Sequence, residues 1–228
     1  GIIDYTVDVA GFVGIDETIF IANPNAPTGM ALAPESIEKI VRSNPDNVVV
    51  IDEAYVDFGA ESCVPLIKKY DNLLVLQTFS KSRSMAGARL GFAIGSAGLI
   101  GDLNAIKYSI NPYNVNSMTQ AAGIAAIADN EYYMGNCNTV AITRESTAAE
   151  LAGLGFHVLP SRANFIFASS DRIDGEELYL ELKSRGILVR HFGGERVRDF
   201  IRISIGTAAQ MDTFLSEMQN YGDIEKLL

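Results

Sequence analysis

"LLVLQTFSKSRSMAGARLGFAIG", Leu73 to Gly95, decides the architecture. It opens on a continuous apolar run, Leu73 to Leu76, then turns polar through Gln77, Thr78, Ser80 and Lys81. Arg89 follows, at the mouth of a second apolar run from Leu90 to Ile94. Short unbroken apolar runs read as strands covered on both faces, which is the habit of parallel sheets flanked by helices. A surface loop has no need of a lysine in a hydroxyl-rich turn just beyond such a strand, nor of an arginine where the next strand begins. A site holding a phosphate and a carbonyl needs both.

Outward from this stretch, "TIFIAN" (Thr18 to Asn23) and "VVVID" (Val48 to Asp52) read as further strands buried on both faces. Between them "APESIEKIVRSN" reads as a helix, with Pro34 in its first turn and Ile37, Ile40 and Val41 at helical spacing. Residues 98–130 are helical and rich in alanine, broken near Pro112. Strand–helix–strand order predicts an α/β fold with a largely parallel sheet. The second half predicts a helix in "NTVAITRESTAAELAGLG", strands in "HVLPS" and "NFIFAS", a helix in "GEELYLELKSRG", strands in "ILVRHF" and "FIRISIG", and a closing helix. That order suggests a small α+β domain. The division is expected within residues 131–145, inside a long helix, giving domains 1–135 and 136–228.

The 228 residues carry 18 Lys plus Arg against 28 Asp plus Glu, a net charge of −10. An acidic chain is a poor partner for nucleic acid or anionic membrane, so phosphate binding must be local, through particular arginines. Cys63 and Cys137 stand far apart and read as reduced thiols of a cytoplasmic protein. With His157 and His191 as the two histidines, no metal site is expected. No apolar run approaches the roughly 20 residues that cross a bilayer. Gly1 is not a methionine and no strand–helix unit precedes the first strand, so the sequence is expected to be the back part of a longer protein.

Three polar clusters fall at strand ends, where open α/β sheets bind ligands. "NPNAPTG" (Asn23 to Gly29) alone is an ordinary proline-fixed turn. Asp52 and Glu53, followed by Tyr55, alone could be a helix cap or a salt bridge, since a carboxylate ending a buried strand is costly unless paired. Lys81 alone could be a solvated lysine. Together they ask for one cofactor. A lysine that condenses with a carbonyl needs that carbonyl close by. A phosphate beside it needs hydroxyls and a guanidinium, which Thr78, Ser80 and Arg89 supply. A buried aspartate, here Asp52, can hold a pyridine nitrogen protonated, and a phenol, here Tyr55, can bond a ring hydroxyl. Pyridoxal 5′-phosphate carries all of these groups.

"NPNAPTG", "VVVIDEAYVDF", "TFSKSRSMAGARLGFAIG" and "FIRISIGT" resemble, in order and spacing, the fold-type I aminotransferases. "PYNVNSMTQ", "SRANFIF" and "GILVRHF" are similar to the histidinol-phosphate aminotransferases among them. The resemblance covers the chain from about Ile19 onward. It implies a large domain with a mostly parallel sheet and a small C-terminal α+β domain. It implies that Lys81 bonds the cofactor and moves the proton, that Asp52 pairs with the pyridinium, that Tyr55 contacts the ring oxygen, and that Thr78, Ser80 and Arg89 hold the phosphate. It assigns Arg202 to the acid end of the substrate and Arg190 to a substrate phosphate shared with 2-oxoglutarate; the alternative for both is a surface ion pair. Asn114 and Asn164 are further pocket residues on this resemblance. The family's asparagine before Pro-Thr-Gly is Ala26 here, so either Asn25 substitutes or Tyr55 makes the ring contact alone.

Family members extend well ahead of Gly1, and that segment would carry a phosphate-binding loop, the aromatic that stacks on the ring, and an arm over the site. The chain alone is therefore expected to hold part of a cofactor site and not to turn over, and the face where such a segment packs is expected to be unusually apolar. The whole protein is expected to be a homodimer, acting on a phosphorylated amino alcohol and 2-oxoglutarate. Alternatives are an aromatic aminotransferase or a threonine-phosphate decarboxylase of the same fold, or a non-catalytic regulatory domain.

Overall fold

The structure, a computed structural model, describes residues 5–225. The chain divides into two compact units: one of Thr6–Asn25 and Ala31–Cys137, the other of Tyr5, Ala26–Met30 and the stretch from Asn138 onward.

The first unit holds β1 (Ile19–Ala22), α1 (Pro34–Ser43), β2 (Val49–Asp52), β3 (Leu73–Thr78), β4 (Gly91–Gly95), α2 (Ala97–Ile110) and α3 (Ser117–Ala128). Its sheet runs β1-β2-β3-β4, with β1, β2 and β3 parallel and β4 antiparallel to β3. α1 begins with Pro34 in its first turn, where a missing N–H costs nothing. Its Ile37, Ile40 and Val41 share one stripe and are fully buried, in one cluster with Ile19, Ile21, Val49, Ile51, Leu73 and Val75. The cluster puts the core on one face of the sheet.

The other face corrects the expectation that "TIFIAN" is buried on both sides. β1 alternates, with Ile19 and Ile21 buried and Phe20 72% exposed. β1 is the sheet's edge strand, and among the described residues nothing covers Phe20. Apolar exposure continues along α2, the loop behind it and α3, at Ile106, Ile110, Tyr113, Met118 and Ile124. α2 buries none of its residues.

α4 (Asn130–Gly153) starts earlier than the sequence pattern suggests and runs as one helix through the division at residues 137 and 138. The second unit continues with β5 (His157–Val158), β6 (Phe165–Ser169), α5 (Gly175–Ser184), β7 (Arg190–His191), β8 (Phe200–Ser204) and α6 (Ala208–Glu225). Its sheet is antiparallel, in the order β5-β6-β8-β7. β5 and β7 are two-residue pieces, shorter than "HVLPS" and "ILVRHF" suggest. Ile166, Ile201 and Ile203 pack with Leu178, Leu182, Phe214 and Met218 from α5 and α6. Phe167 stacks on Phe200 at 4.6 Å between ring centroids.

Residues 26–30 belong to this second unit, and Gly29 makes a close contact there. Gly29 has φ +79° and its carbonyl accepts from Arg162 N–H at 2.7 Å. A Cβ there would collide with the Ser161 side chain and come within 3.2 Å of its Cα. Backbone and space thus both demand glycine. Gly29→Ala is expected to destabilise the protein by about 2 kcal/mol or more, read as a lowered urea midpoint at unchanged slope. A midpoint equal to wild type would contradict the contact. Among the described residues no helix is long and apolar enough to cross a membrane.

Candidate active site

Strand ends and two tight turns of the first unit bring its candidate residues together. Asp52 closes β2, opposite Leu76 of β3. Asn23 N–H extends the pairing beyond β1, donating to the Asp52 carbonyl at 2.9 Å, and Glu53 N–H does the same to Leu76 at 2.8 Å. Asn23 then closes the proline-rich loop behind it. Its side-chain oxygen accepts from Leu32 N–H at 2.7 Å and its amide donates to the Leu32 carbonyl at 3.1 Å. Asn25 lies half-buried in that loop, and Ala26 is exposed.

Burial of the two carboxylates is the reverse of what the sequence suggests. Asp52 is exposed, its Oδ1 accepting from Ala54 N–H at 3.0 Å. Glu53 is the buried member, 2% exposed. It accepts from the Cys63 N–H at 2.5 Å, the Ser62 hydroxyl at 2.7 Å and the Gln77 amide at 2.9 Å. One step along the chain reverses which side chain turns inward. Three donors stabilise a buried charge that would otherwise be prohibitive. Glu53 is therefore structural, and Asp52 is the carboxylate open to a ligand. Burial, and secondarily the charge of Glu53, pushes the Cys63 thiol up to about 12, so it stays a protonated packing residue at neutral pH.

β3 leads into the lysine turn. Phe79 N–H donates to the Leu90 carbonyl at 3.0 Å and Met85 N–H to the Phe79 carbonyl at 3.0 Å, closing the turn on itself. Ser80 N–H donates to Thr78 Oγ1 at 3.1 Å, and the Thr78 hydroxyl donates to Ser80 Oγ at 3.0 Å. Lys81 is exposed, with Nζ 5.1 Å from the centroid of the half-buried Tyr55 ring. The turn returns through Arg89, in the left-handed region at φ +53°, whose guanidinium donates to the Ala86 carbonyl at 3.1 Å. Thr78 pairs with Gly91, so the strand register brings Arg89 back to the end of β3 that carries the two hydroxyls. Asn114 sits apart from this turn, exposed in the loop between α2 and α3, accepting from the Asn111 amide at 3.1 Å.

In the second unit, Arg190 and Arg202 face each other in register across β7 and β8. Their guanidinium carbons lie 5.6 and 5.5 Å from the Phe192 ring centroid, and that of Arg202 also lies 5.0 Å from Phe165. Arg202 Nε is buried with no hydrogen-bond partner among the described residues. Neither arginine forms an ion pair among those residues. A buried donor left without an acceptor is expensive unless a ligand supplies one. Asn164 enters β6 half-buried, its carbonyl accepting from Ile205 N–H at 2.9 Å.

Sequence reasoning missed three groups. The first is Glu53 as the buried anion. The second is Arg144, 2% exposed, donating to the Ala163 carbonyl at 2.8 Å beside Asn164. The third is a bond from Ser82 to Asp57, whose only signal was the density of hydroxyls around Lys81. The donor set of the first unit fits pyridoxal phosphate. One exposed amine, one open carboxylate, a phenol, two hydroxyls and a guanidinium match an aldehyde, a pyridinium, a ring oxygen and a phosphate. Among the described residues no group of three or more His, Cys, Asp or Glu is placed to hold a metal.

Comparison with known proteins points the same way. The family model "Aminotransferase class I and II" matches residues 11–218. A histidinol-phosphate aminotransferase of Brachyspira hyodysenteriae is 53% identical over 217 residues, covering 95% of this chain and 61% of that protein. One from Lactococcus lactis subsp. cremoris is 45% identical over 218 residues, covering 96% and 61%. The crystal structure of histidinol-phosphate aminotransferase from Sinorhizobium meliloti in complex with pyridoxal-5′-phosphate superposes with a TM-score of 0.80 at 27% identity, covering 90% of this chain and 57% of that one. The chain thus spans about three-fifths of the length of the curated relatives it matches.

Proposed function

The chain belongs to the class I and II aminotransferases, and on that premise we propose that the whole protein moves an amino group between histidinol phosphate and 2-oxoglutarate with pyridoxal 5′-phosphate. The observation that carries this reading is the lysine turn. Lys81 is exposed over the Tyr55 ring while the residues around it are tied down, beside the end of a parallel strand closed by Asp52. When bound, the cofactor supplies an electrophilic carbonyl and a ring that accepts the electron pair left at the substrate carbon. Lys81 presents the amine for that carbonyl and carries the proton to and from the substrate's α-carbon. Asp52 keeps the ring nitrogen charged. Tyr55, alone or together with Asn25, bonds the ring oxygen. Thr78, Ser80 and Arg89 bind the phosphate. Residues 1–135 form the cofactor-binding domain in this reading, and residues 136–228 a small domain.

Arg202 and Arg190 recognise the substrate anion. A phosphate near a double negative charge favours two guanidinium forks over one, and a dicarboxylate can use the same pair. Asn164 and Asn114 complete the substrate contacts. The relatives' names support the substrate; a homodimeric, cytoplasmic biosynthetic enzyme is part of the same proposal. The test is amino transfer by the whole protein, with histidinol phosphate and phenylalanine competing as donors and phosphothreonine offered for decarboxylation. Preference for histidinol phosphate is expected. Preference for phenylalanine, or release of carbon dioxide from phosphothreonine, would overturn the substrate assignment.

Arg202→Met keeps the apolar stem between Phe165 and Phe192 and removes the fork. It is expected to lower kcat/KM for histidinol phosphate on the order of 10²-fold. Thermal stability should barely move, because the buried Nε–H has no partner to lose. A kcat/KM within a factor of two of wild type would contradict the role.

A further inference from the structure

Every neighbour of Lys81 in its turn is tied. Before it, Ser80 is bonded to Thr78 by backbone and by hydroxyl. After it, Ser82 is buried and its hydroxyl donates to Asp57 Oδ2 at 2.5 Å. Arg83 then donates to the Ala126 carbonyl at 3.1 Å and to Asn130 Oδ1 at 2.7 Å, with its guanidinium 5.3 Å from the Tyr133 ring. Inside the turn, Ser84 N–H donates to the Lys81 carbonyl at 3.1 Å and Met85 N–H to the Phe79 carbonyl at 3.0 Å. Asp57 belongs to the short helical turn Val56–Phe58 directly behind Tyr55. The Ser82–Asp57 bond therefore joins the turn that carries the lysine to the turn that carries the phenol. Lys81 and Tyr55 are 26 residues apart in sequence, and this bond ties residue 82, next to the lysine, to residue 57, two beyond the phenol.

We propose that Asp57 and Ser82 form a positioning pair that fixes where the Lys81 amine stands relative to Tyr55. The proposal rests on reading Lys81 as the lysine that meets the cofactor. Asp57 acts through Ser82 and touches no reacting atom. A lysine amine hangs on four rotatable bonds, so its reach is set by where the backbone roots it. A short, part-buried hydroxyl–carboxylate bond is among the stronger restraints available to a turn. A displacement of about 1 Å at a reacting group can cost 10²-fold in rate.

The test treats wild type, Ser82→Ala, Asp57→Ala and the double variant with pyridoxal phosphate, reduces with borohydride, and maps the pyridoxyl label by mass spectrometry. Amide hydrogen exchange is read on the same proteins. The rate of labelling at Lys81 is expected to fall on the order of tenfold in either single variant, with labels on the surface Lys68 and Lys69 unchanged. The double variant should be no worse than the worse single one, since both remove one bond. Amides of Ser84 and Met85 should exchange faster, while those of Ile51 and Val75 should not change. General unfolding would raise exchange at all four and even out the lysine labels. Unchanged Lys81 labelling with unchanged Ser84 and Met85 exchange, or losses that add in the double variant, would overturn the pair. Wild type that takes no label at Lys81 defeats the cofactor reading separately. Exchange at Ser84 and Met85 then decides the pair alone: acceleration in both variants supports it, and wild-type rates overturn it.

Discussion

Lys81→Ala is expected to reduce amino transfer by the whole protein by at least about 10⁴-fold, the upper range of what one positioned acid–base group contributes, because it removes the amine that meets the carbonyl together with the group that moves the proton. The fold should not notice. Lys81 is exposed, and its nearest aromatic neighbour is the Tyr55 ring at 5.1 Å, a contact worth about 0.5–1 kcal/mol at an exposed site. A thermal midpoint close to wild type would accompany the loss. Lys81→Arg keeps the charge but not a transferable amine, so it should be equally inactive. Activity within tenfold of wild type in either variant would contradict the assignment.

Glu53→Ala is the matching expectation for stability. The carboxylate is buried and accepts from Cys63 N–H, Ser62 and Gln77 at once. Alanine would strand those donors beside a cavity between β2 and β3. Breaking a buried, hydrogen-bonded charge typically costs about 3–5 kcal/mol, and the urea midpoint should fall accordingly at unchanged slope. Glu53→Gln keeps one accepting oxygen and should lose less. A shift worth under about 1 kcal/mol for Glu53→Ala would mean that the three bonds do not carry the charge.

The contrast between these two residues marks what was legible in the sequence. β2, β3 and the lysine turn were readable because their signals are local: unbroken apolar runs, then hydroxyls and a lysine where a strand must stop. The α/β class with a mostly parallel sheet follows from the same runs. Burial was less readable. "TIFIAN" has the composition of a two-face-buried strand, but β1 lies at the sheet edge and leaves Phe20 out. Asp52 and Glu53 are adjacent and chemically alike, and only the course of the strand decides which one turns inward. Ser82 with Asp57, and Gly29 with Ser161, are tertiary pairs with no periodic trace in the chain. Arg190 and Arg202 were found by resemblance, and their face-to-face register belongs to the sheet of the second unit.

The most direct test of the central claim is to mix the protein with pyridoxal phosphate, reduce with borohydride, and locate the label. Pyridoxyl on Lys81, in preference to Lys39, Lys68, Lys69, Lys107 and Lys183, is the predicted result. Label spread evenly over those lysines, or absent from Lys81, would contradict it and return Lys81 to the status of an ordinary loop residue.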